Sequence, residues 1–154
     1  MSAFAALLRQ EDELVAQFIA LLEEEQAVLR AATPDGLELV SARKRPLIEA
    51  LDAAERERAK LIGSPPGKTS RADMQSWLEK QPQSAEFAAL WQSILQHAQA
   101  AKALHLENQE LLNKRLATTE AALDILMQRQ KDTAVYGSDG QTSGLSGSRI
   151  VDSA

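Results

Sequence analysis

The chain has 154 residues, a net charge of −5 and no cysteine. That excludes disulfides, thiol chemistry and any cysteine-based zinc or iron–sulfur site. Ala (26) and Leu (22) dominate a 44% hydrophobic content that includes only three Phe, two Trp and one Tyr, so an all-α fold with a thin Ala/Leu core is expected.

Charge and hydropathy narrow the function further. No basic stripe follows the spacing of a phosphate backbone, so nucleic acid is not an expected partner. Glu11, Asp12 and Glu13 interrupt the N-terminal apolar stretch, and no apolar run approaches the ~18 residues of a membrane span. Neither a signal peptide nor stable membrane insertion is expected.

The first predicted helix covers residues 2–32. Phe4, Leu7, Leu8, Leu14, Val15, Phe18, Leu21, Leu22, Val28 and Leu29 recur at helical spacing, with Glu11 and Glu25 set into the stripe. The simpler reading makes these two carboxylates flanking charges turned to water. The alternative makes each a buried partner for a basic residue on the next helix. Thr33 as N-cap and Pro34 at the first helical position then predict a second helix over 35–62. Leu37, Val40, Leu47, Ile48, Leu51, Ala54, Leu61 and Ile62 are its expected inward residues, and Pro46 should bend it. Arg43, Lys44 and Arg45 read as a solvated cluster or as partners of the acidic first helix.

Gly63 to Thr69 superficially resembles a phosphate-binding loop, but its glycines are one residue too close. No strand precedes it, and Pro65 and Pro66 remove N–H donors, so it reads as a linker. A short helix is expected over 70–81, capped by Ser70 and stopped by Pro82. Its Trp77 should meet Trp91 where the segment folds back.

Residues 84–135, capped by Ser84, contain neither Gly nor Pro and form the element around which the chain is organised. Leu90, Ile94, Ala98, Ala101, Leu104, Asn108, Leu111, Leu112, Leu116, Thr119, Leu123 and Leu126 share one sector of a helical wheel. Such a helix would span roughly 75 Å, against roughly 45 and 40 Å for the first two. The expected architecture is an elongated antiparallel bundle, or coiled-coil hairpin, built on this one long helix. If the shorter helices cover the same end, Leu112, Leu116, Leu123, Leu126 and Met127 are left facing water, with Ile125 off the stripe but able to widen the patch. These six are the candidate binding residues. Tyr136-Gly137 marks the helix end. Residues 1–136 thus form one helical domain, and the Gly/Ser-rich segment 137–154 should be a disordered tail.

No catalytic constellation stands out. His97 and His105 lie eight apart on the apolar face without a Glu-x-x-His pair, and read as core or seam residues rather than metal ligands. Glu23, Glu24 and Glu25 splay around their helix. No metal, cofactor or enzymatic activity is expected.

The run Leu21-Leu22-Glu23-Glu24-Glu25-Gln26-Ala27-Val28-Leu29, followed by Leu37, Leu39, Arg43-Lys44-Arg45 and Leu47, resembles the amino-terminal half of flagellar export chaperones of the FlgN family. Asn108-Gln109-Glu110-Leu111-Leu112-Asn113, the stretch Thr118 to Leu126, and Val135-Tyr136-Gly137-Ser138-Asp139-Gly140 are similar to its carboxy-terminal half. The resemblance implies a cytoplasmic chaperone that holds the C-terminal segments of the hook-associated proteins FlgK and FlgL and hands them to the export gate. It also implies contact between that gate's cytoplasmic domain and a tyrosine at the position of Tyr136; the simpler reading of Tyr136 is an amphipathic ring closing the helix end. Without the resemblance, the same pattern equally suits a non-catalytic coiled-coil adaptor or a structural helical homodimer.

Overall fold

A computed structural model describes residues 2–31, 35–64 and 71–137, the last four by backbone alone. Four helices are present and no strand occurs among the described residues: α1 (Ala3–Arg30), α2 (Leu37–Ile62), α3 (Arg71–Glu79) and α4 (Ser84–Gly137). The chain divides into two units within α4, Met1–Leu111 and Leu112–Ala154.

Local chemistry explains where each helix starts and stops. Ser2 caps α1, its hydroxyl accepting from the Phe4 N–H at 3.1 Å. Helix α2 begins two residues later than the sequence suggests. Its N-cap is Gly36, at φ 96°, a left-handed backbone that disfavours other residues, so the Thr33 cap and Pro34 start do not set the helix. Thr33 and Pro34 lie outside the described residues. Gly63, at φ 76°, ends α2, with the Ser64 N–H reaching back to the Ala59 carbonyl at 2.9 Å. Between these ends α2 runs through Pro46 without a break. Helix α3 closes two residues earlier than expected, in a turn where Lys80 and Gln81 bond back to Trp77 and Leu78. Ser84 is already helical; the cap position falls to Gln83, whose carbonyl accepts from the Phe87 N–H. The proposed Ser70 cap, the segment 65–69 and the tail 138–154 lie outside the described residues.

The core of the first unit brings α1, α3 and α4 together. Phe4, Ala5 and Leu8 pack with Met74 and Leu78 and with Phe87, Trp91 and Ile94. Trp77 stands 4.5 Å from Phe4 and 6.2 Å from Phe87, ring to ring. Both tryptophans thus belong to the cluster formed where α3 folds back. On α2 the inward row is Val40, Leu47, Leu51, Ala54 and Ala59, while Ile48 and Leu61, expected inward, are exposed. Helical phase does not separate them, since Leu61 lies about 20° from Ala54 and Ile48 about 20° from Ala59; the difference is in how far neighbouring helices cover α2 at each level.

Polar contacts set direction and register. Glu11 pairs with Arg58, Glu24 with Arg43 and Glu25 with Lys44, so α2 runs antiparallel to α1. Arg9 pairs with Glu86, Asp12 with His97, and Gln26 with Glu107, so α4 runs parallel to α1. The reading of Glu11 and Glu25 as water-facing charges is corrected here, since both are buried. Arg58 grips Glu11 with two bonds of 2.9 and 3.1 Å, and its guanidinium lies 4.6 Å from the centre of the Trp91 ring. One carboxylate therefore ties α1 to α2 and, through Arg58, to α4.

Removing one member of such a pair leaves a buried charge alone, which costs about 3–5 kcal/mol. Glu11→Leu should destabilise the chain by an amount in that range in urea denaturation. Glu11→Leu with Arg58→Leu should lose less than the single substitution does.

Candidate functional site

The stripe on α4 changes character along the helix. In the first unit Phe87, Trp91, Ile94, Ala101 and Asn108 are buried, with Leu90, Leu104 and Leu111 half-buried. Asn108 is the most C-terminal buried residue described. Its amide donates to the Leu22 carbonyl and to Glu25 Oε1, both at 2.9 Å, and Glu25 Oε2 meets Lys44 Nζ at 2.6 Å. A buried carboxylate is tolerable here because it is both charge-paired and hydrogen-bonded.

In the second unit the described residues form one stretch of helix whose large apolar side chains are exposed. Exposure there ranges from 37% at Leu112 to 66% at Met127, with Leu116, Leu123, Ile125 and Leu126 all above half. At about 100° per residue, Leu112, Leu116, Leu123, Leu126 and Met127 fall within one sector about 100° wide. Ile125 sits about 100° round the helix beyond Leu126, so the helix does not bring it together with the other five. The residues on the far side, Glu110, Lys114, Asp124 and Gln128, are exposed as well. Thr118 and Thr119 turn their hydroxyls to the carbonyls of Lys114 and Arg115, each at 3.0 Å, and so satisfy them within their own helix.

Tyr136 lies in the last turn of α4, which ends at Gly137, in the part described by backbone alone. The two histidines part company. His97 Nδ1 donates to Asp12 Oδ1 at 2.7 Å, beside the Ser93 hydroxyl that donates to Asp12 Oδ2 at 2.8 Å. His105 is exposed, at the edge of a shallow apolar groove lined by Val15, Phe18, Leu51, Ala98 and Lys102. Among the described residues no group of His, Asp and Glu side chains is arranged to hold a metal ion, and no helix is long and apolar enough to cross a membrane.

The polar anchors carry only a faint signal in the sequence. Glu11 and Glu25 do sit in phase with the apolar stripe of α1, and that phase was the available signal. Asn108 occupies a stripe position, and the residue that needs its amide, Glu25, is 83 positions away.

Exposed and buried leucines should respond differently to truncation. Leu22→Ala, at a fully buried site, should cost about 2–5 kcal/mol. Leu123→Ala should change stability by no more than about 0.5 kcal/mol, read from the same denaturation midpoints.

Comparison with known proteins gives this geometry a family. The chain matches the FlgN protein family over residues 1–144. Its fold is similar to the crystal structure of a candidate flagella synthesis protein FlgN from Pseudomonas aeruginosa, with a TM-score of 0.61 at 21% identity, covering 79% of this chain and 93% of that one. At that identity the likeness speaks for the fold. No curated protein matches the chain at a significant level. With a family match across nearly its whole length, and the helical fold of a FlgN protein around it, the chain belongs to the FlgN family.

Proposed function

We propose that this chain is a cytoplasmic export chaperone of the bacterial flagellum. It holds the C-terminal segments of the hook-associated proteins FlgK and FlgL and delivers them to the cytoplasmic domain of the export gate. Membership of the FlgN family, a chaperone-type and non-enzymatic family, supports a role in flagellar export. The observation that carries the finer reading is the exposed sector formed by Leu112, Leu116, Leu123, Leu126 and Met127.

The physical argument concerns what such a sector can bind. A helix presenting apolar side chains every three or four residues suits an amphipathic helix from another chain. A client segment disordered before capture is ordered on binding, and that ordering opposes association. Affinity is then moderate for the area buried, which suits a client that must later be released. Ile125, on another face, is outside the contact in this reading.

Leu116→Asp with Leu123→Asp tests the docking surface. Titration with a peptide from the C-terminus of a hook-associated protein should show at least about a tenfold loss of affinity, because a carboxylate placed in an apolar contact is strongly unfavourable. Helicity and sedimenting mass at low concentration should stay unchanged. Undiminished binding would move the client site elsewhere, to the α1–α2 hairpin first.

Tyr136 is assigned to the gate contact in the same proposal. Tyr136→Ala should retain client-peptide affinity while binding to the gate's cytoplasmic domain, and export, fall. Unchanged gate binding would return Tyr136 to a plain helix-end role.

A further inference from the structure

In the first unit the trough between α2 and α4 is filled over only part of its length. At one end the chain's own α3 lies in it. Met74 and Leu78 pack there with Trp91 and Ile94, and Ile62 of α2 and Leu95 of α4 close against the same cluster. Beyond α3 the trough stays open, as the shallow apolar groove floored by Val15 and Phe18 of α1. Heptad steps explain the change. One heptad on from Trp91 and Ile94 stand Ala98 and Ala101, so two large side chains give way to two methyl groups. Phe18 and Leu51 stand one heptad from Glu11 and Arg58. A further heptad along these two helices reaches the paired Glu25 and Lys44, so the groove lies between the two polar anchors. Phe18 belongs to the inward stripe of α1 and is nonetheless only half-buried, for want of cover.

We propose that this groove seats an amphipathic helix from another protein, one that continues the line of α3 and carries an acidic edge. The packing of α3 shows what the trough accepts: apolar side chains four apart, at Met74 and Leu78, set down between α2 and α4. Two large apolar side chains at that spacing restore over Val15 and Phe18 the bulk that Ala98 and Ala101 withhold.

The rims of the groove carry opposite charge. On α4, Lys102 and His105 are exposed, and neither has an ion-pair or hydrogen-bond partner among the described residues. On α2, Glu55 lies one turn from Leu51 on the same face, also unpaired among the described residues. The exposed Ile48 lies one turn from Leu51 in the other direction. A guest helix with carboxylates toward α4 and a cation toward α2 is matched on both sides. One with basic residues on both edges is repelled at Lys102. The inference concerns the first unit alone and is independent of where the client binds.

A stapled, fluorescent peptide of about 12 residues probes the site by anisotropy, the staple being needed because a free helix that short is marginal in water. It carries leucines four apart, glutamates along one edge and lysines along the other. It should bind the full chain saturably, at roughly ten micromolar. Lys102→Glu should weaken it about fivefold at low salt, and added salt should shrink that difference. A second peptide with lysines on both edges should reverse the order, binding Lys102→Glu more tightly than the wild type. Ala98→Trp, which returns a large side chain to the groove, should abolish binding without lowering the urea denaturation midpoint. Absence of saturable binding, equal affinity of the two peptides for the wild type, or undiminished binding to Ala98→Trp would each overturn the proposal. Because the chain has no cysteine, Ala98→Cys accepts a single benzophenone label for cross-linking in an extract of the cells that make it. The cross-linked segment should be an acidic-edged amphipathic helix of another protein, and the stapled peptide should compete it away. A cross-link only to a second copy of this chain, or to the chain's own segments, overturns the proposal.

Discussion

The buried ion pair of Glu11 and Arg58 is the contact on which the first unit depends. An all-leucine and alanine interface offers many nearly equivalent registers, because sliding one helix past another by a turn exchanges similar side chains. A carboxylate and a guanidinium, each more than nine-tenths out of water, remove that freedom. Arg58 can satisfy Glu11 at only one place along α2, and by lying against Trp91 it brings that choice to α4. The cluster of Phe4, Met74, Leu78 and Phe87 then packs around a register already decided.

A second anchor repeats the logic further along α1. Glu25 takes Lys44 from α2 and Asn108 from α4 at once. Between the two anchors the parallel course of α1 and α4 follows from polar contacts that ascend together, from Arg9 with Glu86 to Gln26 with Glu107. Four carboxylates of the first helix thus have structural partners. Glu11, Glu24 and Glu25 meet Arg58, Arg43 and Lys44 of α2, and Asp12 meets His97 of α4.

What this means for function is a division of labour along α4. Leucines and aromatics that hold the first unit together are covered, and the large apolar residues from Leu112 to Met127 are exposed. A residue buried in the fold cannot also be a reversible docking surface without unfolding it. In a chain with so little aromatic content, a run of exposed leucines at seam spacing is a costly surface to keep in water. In the proposed function, binding a client helix relieves that cost.

Much of this was legible in the sequence. Helix number, the breaks near Gly36, Gly63 and Pro82, the return of the Trp77 segment onto the cluster that holds Trp91, and the family itself are all local or patterned features, set by propensity and period. The exposure of Leu112 to Met127 followed from comparing helix lengths, and the helical angle that sets Ile125 off from the other five is legible in the sequence as well. Tertiary structure alone decided the rest. Whether Glu11 faced water or a partner depended on Arg58, 47 residues away, and the fate of Glu25 depended on Asn108 as well as Lys44. Ile48 and Leu61 share the phase of buried Ala59 and Ala54, yet they are exposed, because coverage by other helices rather than phase decided it. Each is a question of which distant groups arrive together. Periodicity along one helix says which side chains share a face, but the long-range partner determines whether that face is buried, paired or left to bind.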